Sequence, residues 1–493
     1  MEKKKRNLII GVAAVVLVVV LCLVCCRKSS DKYCSAIPSD AVGLVRLDAA
    51  GFIKKHNIDL DGLKSLMGPM DGMLDNSGID LEKPIYAFAT PKGSLGFVAK
   101  MKSTEDLKTL VKSVGRMMGA KLSEKQGYNW IDMGDILVCF DANKLLGLSN
   151  AGMNARKDMI ALMEQDEDES VMGTKLFESV GKIEQPFAIL TNINTILDAA
   201  GPEGQMALAQ SAKLYDLEPE DMDMNFTLTF DVVKDKAVLA FNYDPLSSAL
   251  KNKMDEFAKM FTPNTGKFIN TISDDPLVWG CAHLEGDKFG KMIEDAIETQ
   301  LSSASNSTEM IALHAIKDAF LKVIESFNGD INFVMPSLDE PNFLVQADVK
   351  NNEILSLIEM AGKESQGIVP VMKAGENSYT IALDNNVILA GVKNNSFYLS
   401  NSTDMTAKLG KEVDSRIENL KKDICNSYFY LTVDAQSLIG LLMQQSDLKM
   451  LMASFIGRLT QLDRLTLRNT SAYGVELTLS VKDGKDFIET LFN

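Results

Sequence analysis

The spacing of apolar residues predicts a chain that mixes β-strands with helices. Every second residue is apolar along 226–232 and along 475–481, as in strands with one buried face. Apolar residues recur three and four positions apart along 107–114 and 354–361, as in helices with one buried face. Strand hairpins that alternate with helices predict an α+β fold whose sheet is mostly antiparallel.

Similar patterns occur twice along the chain and predict an internal duplication. Leu148-Ser149-Asn150 recurs as Leu399-Ser400-Asn401, and a first strand predicted at Val42–Leu47 has a counterpart at Pro276–Leu284. We therefore expect two tandem copies of a sheet-plus-helices unit, the first at 41–262 and the second at 263–493. Within the first copy, Asp244-Pro245 is expected to begin a helix, because proline favours the first helical position.

A charge-free segment near the N-terminus predicts membrane association. Leu8–Cys26 is 19 residues long, close to the roughly 20 that a membrane-spanning helix needs. Basic residues at Lys3–Arg6 and at Arg27-Lys28 flank it, and the larger number before it keeps the N-terminus in the cytoplasm and exports the body. We expect a membrane anchor at 1–28 and a linker at 29–40, with the body facing the periplasm or the cell exterior.

Two forms of that anchor remain open. The length of the apolar segment favours an uncleaved transmembrane helix, since the apolar core of a signal peptide is usually only about 7–15 residues long. Leu23-Val24-Cys25-Cys26 also resembles a lax lipoprotein signal, in which Cys26, or alternatively Cys25, is lipidated and becomes the mature N-terminus.

The overall charge argues against nucleic acid as a partner. The formal net charge of the chain is −16, although residues 1–28 are strongly basic, so the body is more acidic still. An acidic body repels phosphate backbones, and nucleic-acid binding needs clustered lysine and arginine.

The sequence contains no recognisable catalytic motif, and we predict no catalytic, cofactor-binding or metal-ligating residues. The three histidines, His56, His283 and His314, are far apart, and none has a partner at metal-ligand spacing. The SxxK pattern at Ser446–Lys449 lacks the other motifs of serine acyltransferases, so we interpret it as a chance match. The acidic clusters Glu164–Glu169 and Glu218–Asp223 lack EF-hand spacing and are expected to be solvated loops.

The cysteines outside the apolar segment do not suggest a disulfide framework or a zinc site. Cys139, Cys281 and Cys425 each lie within an apolar pattern that predicts a strand. A free cysteine in such a place behaves as a small hydrophobic residue.

The segment Ser30–Ala41, with its Ile37-Pro38-Ser39-Asp40-Ala41 turn, resembles the mature start of an uncharacterised family of Bacteroidales envelope lipoproteins. In that family a lipidated cysteine precedes a short polar spacer, this turn and a first strand. The resemblance implies lipidation at Cys25 or Cys26, and it implies no established activity.

These observations favour a membrane-anchored envelope protein with a non-enzymatic binding or structural ectodomain. The ligand would be a protein or a glycan. The alternative is an envelope hydrolase with a site assembled between the two repeats, because ligand sites favour domain junctions.

Overall fold

The computed structural model describes most of the chain beyond the N-terminal segment. The described residues are 32–58, 77–149, 154–269, 276–303, 317, 320–338, 341–364, 369–383, 386–410, 416–442, 456–471 and 473–492. They fall into two compact units: unit 1 comprises residues up to 251 together with those from 483, and unit 2 comprises residues 252–482.

Within its described residues, unit 1 contains ten strands, and each is antiparallel to its neighbours. In space their order is β4-β5-β6-β7-β3-β2-β1-β8-β9-β10. Their bounds are β1 Gly43–Leu47, β2 Ile85–Ala89, β3 Leu95–Lys100, β4 Lys121–Lys125, β5 Tyr128–Asp132, β6 Ile136–Phe140, β7 Lys144–Ser149, β8 Phe187–Asn192, β9 Met224–Val233 and β10 Lys236–Pro245.

The helices of unit 1 follow particular strands. Their bounds are α1 Ala49–His56, α2 Thr104–Met118, α3 Ala155–Glu164, α4 Lys175–Gly181, α5 Ile193–Ala199 and α6 Pro202–Leu214, with α14 Phe487–Phe492 near the C-terminus; α7, at Ser248–Ala258, contains the boundary between the units. Side-chain caps set several starts: Asp48 accepts a hydrogen bond from the Gly51 amide at 2.8 Å before α1.

The expected helix start at Asp244-Pro245 was wrong. Both residues end β10, where Pro245 lies opposite Met224. The helix α7 begins three residues later, because the Ser247 hydroxyl caps it by accepting a hydrogen bond from the Leu250 amide at 3.0 Å.

One face of the unit 1 sheet is closed by the N-terminal residues of the described chain. Residues 33–37 are buried against Leu44 and Phe88, together with residues of α3 and α4. The Tyr33 hydroxyl donates a hydrogen bond to the Pro84 carbonyl at 2.5 Å. This part of the segment expected to be a linker is therefore core. On the opposite face, α2 packs through Leu107 on residues of β5, β6 and β7.

Unit 2 also contains ten strands, all antiparallel to their neighbours. In space their order is β14-β15-β16-β17-β13-β12-β11-β18-β19-β20. Their bounds are β11 Val278–Glu285, β12 Phe327–Met335, β13 Leu344–Val349, β14 Val371–Gly375, β15 Ser378–Leu383, β16 Asn386–Lys393, β17 Ser396–Ser400, β18 Phe429–Asp434, β19 Leu462–Ser471 and β20 Gly474–Val481.

The helices of unit 2 occupy corresponding places in the order of elements. They are α8 Gly286–Ser303, α9 Ile354–Glu364, α10 Thr403–Ala407, α11 Lys421–Cys425, α12 Ala435–Leu442 and α13 Ile456–Leu459. One sheet face packs under Ile269, α10, α11 and the 3₁₀ helix Arg416–Leu420. The other packs under α9 through Ile354 and Leu355.

The fold-class prediction of an N-terminal membrane segment followed by two tandem sheet-plus-helices units was wrong. Within each unit the described strands are antiparallel and pair out of sequence order, and no helix among the described residues is a candidate for the predicted membrane segment. Alternation of apolar residues reports which face of a strand is buried, but it does not report which strand its edge pairs with.

No helix within the described ranges is long and apolar enough to span a membrane. The predicted anchor at 1–28, including Leu8–Cys26, lies outside the described residues.

Candidate functional site

A row of five side chains crosses the centre of the sheet in unit 2. Tyr430, Cys281, Asn332, Gln346 and Tyr398 lie opposite one another on β18, β11, β12, β13 and β17. Residues directly opposite in antiparallel strands project from the same face, so these side chains are neighbours. Four of the five carry groups that form strong hydrogen bonds, which is unusual for the centre of a packed sheet.

A cavity of about 540 Å³ opens beside this row, entirely within unit 2. Pockets that bind small molecules have volumes of about 300–1,000 Å³. The residues that line it are Thr265, Gly266, Lys267, Phe268, Ile269, Gln346, Lys393, Asn394, Ser396, Tyr398, Leu409, Gly410 and Lys421. The lining therefore combines an apolar part with amide, hydroxyl and ammonium groups.

The buried carboxylate of Asp330 fixes one wall of the cavity. The Thr265 amide donates hydrogen bonds to both carboxylate oxygens at 2.9 and 3.0 Å, and the Thr265 hydroxyl donates another at 2.7 Å. The Lys267 amide donates at 3.2 Å, and Nδ1 of His283 lies 2.9 Å from Oδ1. Segment 265–267 is thereby held in one conformation.

The hydrogen bonds to Asp330 also set its protonation state. Burial alone favours the neutral acid, but the hydrogen bonds from His283, Thr265 and Lys267 outweigh it and lower the pKa of Asp330 below its ordinary value. Asp330 is thus a charged structural group and a weak base.

Three lysines line the cavity. Lys267 forms an ion pair with Asp348, and its ammonium lies 5.6 Å from the centre of the Phe268 ring. Lys393 and Lys421 are exposed, and neither forms an ion pair with another described residue. No aspartate or glutamate is among the described residues that line the cavity. The cavity therefore carries positive charge within an acidic chain.

The middle residue of the row, Asn332, is a buried amide that has no hydrogen-bond partner among the described residues. Asn332 is fully buried, and within the described structure neither its Oδ1 nor its Nδ2 atom has a hydrogen-bond partner. Its neighbour Gln346 is only 3 % exposed and lines the cavity. Leaving a buried polar group unpaired costs about 1–3 kcal/mol of folding free energy. Asn332 therefore destabilises the folded state.

One row across the corresponding five strands of unit 1 is apolar. It contains Leu190, Leu44, Phe88, Gly96 and Leu148. The Phe88 ring lies directly over Gly96, where an added Cβ atom would be 2.2 Å from Cζ of the ring. The adjacent row on the same face contains Ala188, Arg46, Tyr86, Val98 and Leu146, so the apolar row lies beside two polar side chains.

The structure separates the histidines that the sequence singled out. His56 in unit 1 lies 3.4 Å from Asp231, which also pairs with Lys55, whereas His283 in unit 2 contacts Asp330. His314 lies outside the described residues, as do Cys25, Cys26 and Ser446–Lys449. In the part of the chain that the structure describes, no cluster of three or more His, Cys, Asp or Glu side chains could hold a metal ion.

The acidic clusters and the cysteines have structural surroundings. Glu167–Glu169 and Pro219–Asp221 are short 3₁₀ helices without buried residues. Cys139 and Cys281 lie in strands and are buried, and burial raises the pKa of the Cys139 thiol to about 12. The strand expected around Cys425 was wrong, because this residue ends the helix α11.

Sequence reasoning did not identify the lysines of the cavity or the polar row. Lys267, Lys393 and Lys421 are far apart in sequence, and their meeting depends on strand pairing and on the connection through residues 401–425. A signal did exist for Asn332 and Gln346. Both are strongly polar residues on strands that otherwise read as buried, and such positions need a specific reason.

The fold and the cavity define an α+β protein with a polar pocket. The chain belongs to the family described as domain of unknown function DUF4836, whose model matches residues 74–486. Among solved structures it is similar to crystal form I of TP0453, with 10 % identity, a TM-score of 0.27 and coverage of 47 % of this chain and 88 % of that chain. For crystal form IV of TP0453 the identity is 12 %, the TM-score 0.26, and the coverage 43 % and 81 %. No curated protein matches this chain.

Proposed function

We propose that this protein is a cell-envelope binding protein whose unit 2 pocket holds a small, sugar-like polar ligand without converting it. The observation that carries the proposal is the cavity of about 540 Å³, whose lining combines hydrogen-bonding groups with apolar side chains. Apolar surface with a few placed polar groups is the usual composition of a ligand site. The volume suits a monosaccharide or a disaccharide.

The arrangement of groups favours binding over hydrolysis. Thr265 donates to Asp330, and Asp330 also contacts His283, so the carboxylate lies between the hydroxyl and the imidazole. In a hydrolytic triad the imidazole contacts the hydroxyl directly. The lowered pKa of Asp330 also makes it a poor acceptor of the Thr265 proton.

Calorimetric titration of the full-length chain in detergent with neutral and charged mono- and disaccharides tests this function. We expect at least one of them to bind and to be recovered intact by chromatography after prolonged incubation. Absence of binding for the whole panel, or conversion of the bound sugar, would contradict the proposal.

We also propose that the body is exported and that lipidation at Cys26, or alternatively Cys25, tethers it to the envelope as in Bacteroidales lipoproteins. The support is the charge-free segment Leu8–Cys26, its flanking basic residues and the turn at Ile37–Ala41. Mass spectrometry of the mature N-terminus tests it. A diacylated or triacylated cysteine is expected, and a full-length polypeptide recovered from the cytosol without detergent would contradict it.

A further inference from the structure

The cavity of unit 2 is more positively charged than the chain that contains it. The formal net charge of the whole sequence is −16, yet three lysines and no acidic side chain are found among the described residues that line the cavity. Asp348 neutralises Lys267, and the hydrogen bonds of Asp330 are directed to Thr265, Lys267 and His283. Among the described residues, none forms an ion pair with Lys393 or Lys421.

Both of these lysines lie at the end of a regular element of the fold. Lys393 ends β16 and pairs with Ser396 across a two-residue turn. The turn residues Asn394 and Asn395 have φ values of 52° and 58°, the left-handed conformation that tight hairpin turns require and that asparagine tolerates well. Lys421 begins α11, whose Ile424 is fully buried in the core. Neither lysine is on a free chain end.

The remaining lining groups suit a ring that carries hydroxyl groups. Gln346, Ser396 and Tyr398 present amide and hydroxyl groups to the cavity. Phe268, Ile269 and Leu409 supply the apolar surface of the lining. Polar edges and an apolar face are the two surfaces of a sugar ring, and the cavity is much larger than a bare phosphate ion.

We infer that the ligand of this pocket is an acidic sugar, whose phosphate or carboxylate group binds Lys393 and Lys421 while its ring contacts Gln346 and Tyr398. This inference rests on the proposed binding function and adds the charge of the ligand to it. Hydrogen bonds between ionised groups are roughly twice as strong as neutral ones, so the acidic group contributes much of the affinity.

Calorimetry with four probes tests the inference: glucose 6-phosphate, glucuronate, glucose and inorganic phosphate. We expect at least one of the two acidic sugars to bind about tenfold more tightly than glucose, because a hydrogen bond to a charged group contributes about 1.5–3 kcal/mol. Tighter binding of glucose 6-phosphate identifies phosphate as the acidic group, and tighter binding of glucuronate identifies carboxylate. Raising the salt concentration from about 0.05 M to 0.5 M should weaken the acidic sugars and leave glucose unchanged.

Variants assign the effect to the two lysines. In Lys393→Gln combined with Lys421→Gln, the affinity for the acidic sugar should fall to about that for glucose. The matched control is Lys373→Gln, which removes an exposed strand lysine of unit 2 outside the lining and should change neither. Circular dichroism and thermal unfolding establish that each variant is folded.

Three outcomes would overturn the inference. Glucose that binds as tightly as both acidic sugars would show that charge is irrelevant, and the proposed binding function would survive. Inorganic phosphate that binds as tightly as glucose 6-phosphate would reduce the pocket to a simple anion site. Failure of every sugar to bind would remove the proposed function itself.

Discussion

Within the described residues, unit 1 and unit 2 each arrange ten strands in the same order, but one row of unit 1 and one row of unit 2 differ in chemistry. In unit 1 the row contains Phe88 stacked over Gly96, with leucines on either side. In unit 2 the corresponding strands carry Asn332 and Gln346, beside a cavity of about 540 Å³. The same backbone scheme thus supports a filled core in one place and a pocket in the other.

The comparison separates side chains that serve the fold from those that do not. Burying an aromatic ring stabilises a domain by a few kcal/mol, whereas burying an unpaired amide destabilises it. Phe88 in unit 1 is a buried ring of the stabilising kind, whereas Asn332 in unit 2 is a buried amide of the destabilising kind. A departure that costs stability is most easily explained by a function at that place.

The two tryptophans allow each unit to be followed separately. Trp130 is fully buried in unit 1 and Trp279 is buried in unit 2, and the chain contains no other tryptophan. Replacing one of them by phenylalanine leaves a single fluorescent reporter for the unfolding of the other unit in urea. The predictions below are measured in such single-tryptophan chains, with the matching unchanged chain as reference.

The largest effect is expected for Phe88→Ala. Removing a buried aromatic ring leaves a cavity and should lower the free energy of unfolding reported by Trp130 by about 3–5 kcal/mol. The transition reported by Trp279 should move much less. A loss below about 1 kcal/mol at Trp130 would show that the unit 1 row is not the tightly packed core described above.

Asp330→Asn should have the next largest effect, now in unit 2. The amide cannot accept all the hydrogen bonds that the carboxylate accepts, so the free energy of unfolding reported by Trp279 should fall by about 1.5–3 kcal/mol. Asp231→Asn is the matched control in unit 1, where the main partner, Lys55, is partly exposed, and a smaller loss is expected.

The effect of Asp330→Asn should depend on pH. The pKa of Asp330 is lower in the folded chain than its ordinary value of 3.8, so the charged carboxylate stabilises the folded state above that value. This contribution is lost as the pH falls through 3.8 toward the lower folded pKa. The difference between the two chains should shrink below pH 4. A difference that grows on acidification would contradict the assignment.

Gly96→Ala and Gln346→Ala compare the same place in the two rows. The added Cβ atom at Gly96 would meet the Phe88 ring, and overpacking of this kind costs about 1–3 kcal/mol. Truncating Gln346 widens an existing cavity and should cost less. Equal losses in both units would show that the rows are equally packed.

The smallest effect, and the only stabilising one, is expected for Asn332→Leu. Leucine has a similar size and no polar atoms, so the free energy of unfolding reported by Trp279 should rise by about 1 kcal/mol. A clear loss of stability would show that the Asn332 amide has a partner in solution.

Periodicity predicted the elements better than it predicted their assembly. The alternating stretches 226–232 and 475–481 lie in β9 and β20, and the helical spacing at 107–114 and 354–361 lies in α2 and α9. The order in which the strands pair within each unit was missed, because apolar alternation does not specify the pairing of edges.

The candidate site was largely beyond prediction. Lys267 and Lys393 line the same cavity, and this depends on the pairing of β13 with β17 and on the place of segment 265–269 in the fold. Asn332 and Gln346 were detectable as polar residues on buried strands, but their side-by-side placement depends on a register that a single sequence does not fix.

The most direct test of a pocket in unit 2 is a ¹³C-methyl NMR spectrum of the full-length chain titrated with glucose 6-phosphate. Ile269 lines the cavity, and Ile37 closes the corresponding sheet face of unit 1, where it is fully buried. We predict that the Ile269 signal shifts with saturation and that the Ile37 signal does not move. A shift at Ile37 without one at Ile269, or no shift at either with all four probes, would contradict the account.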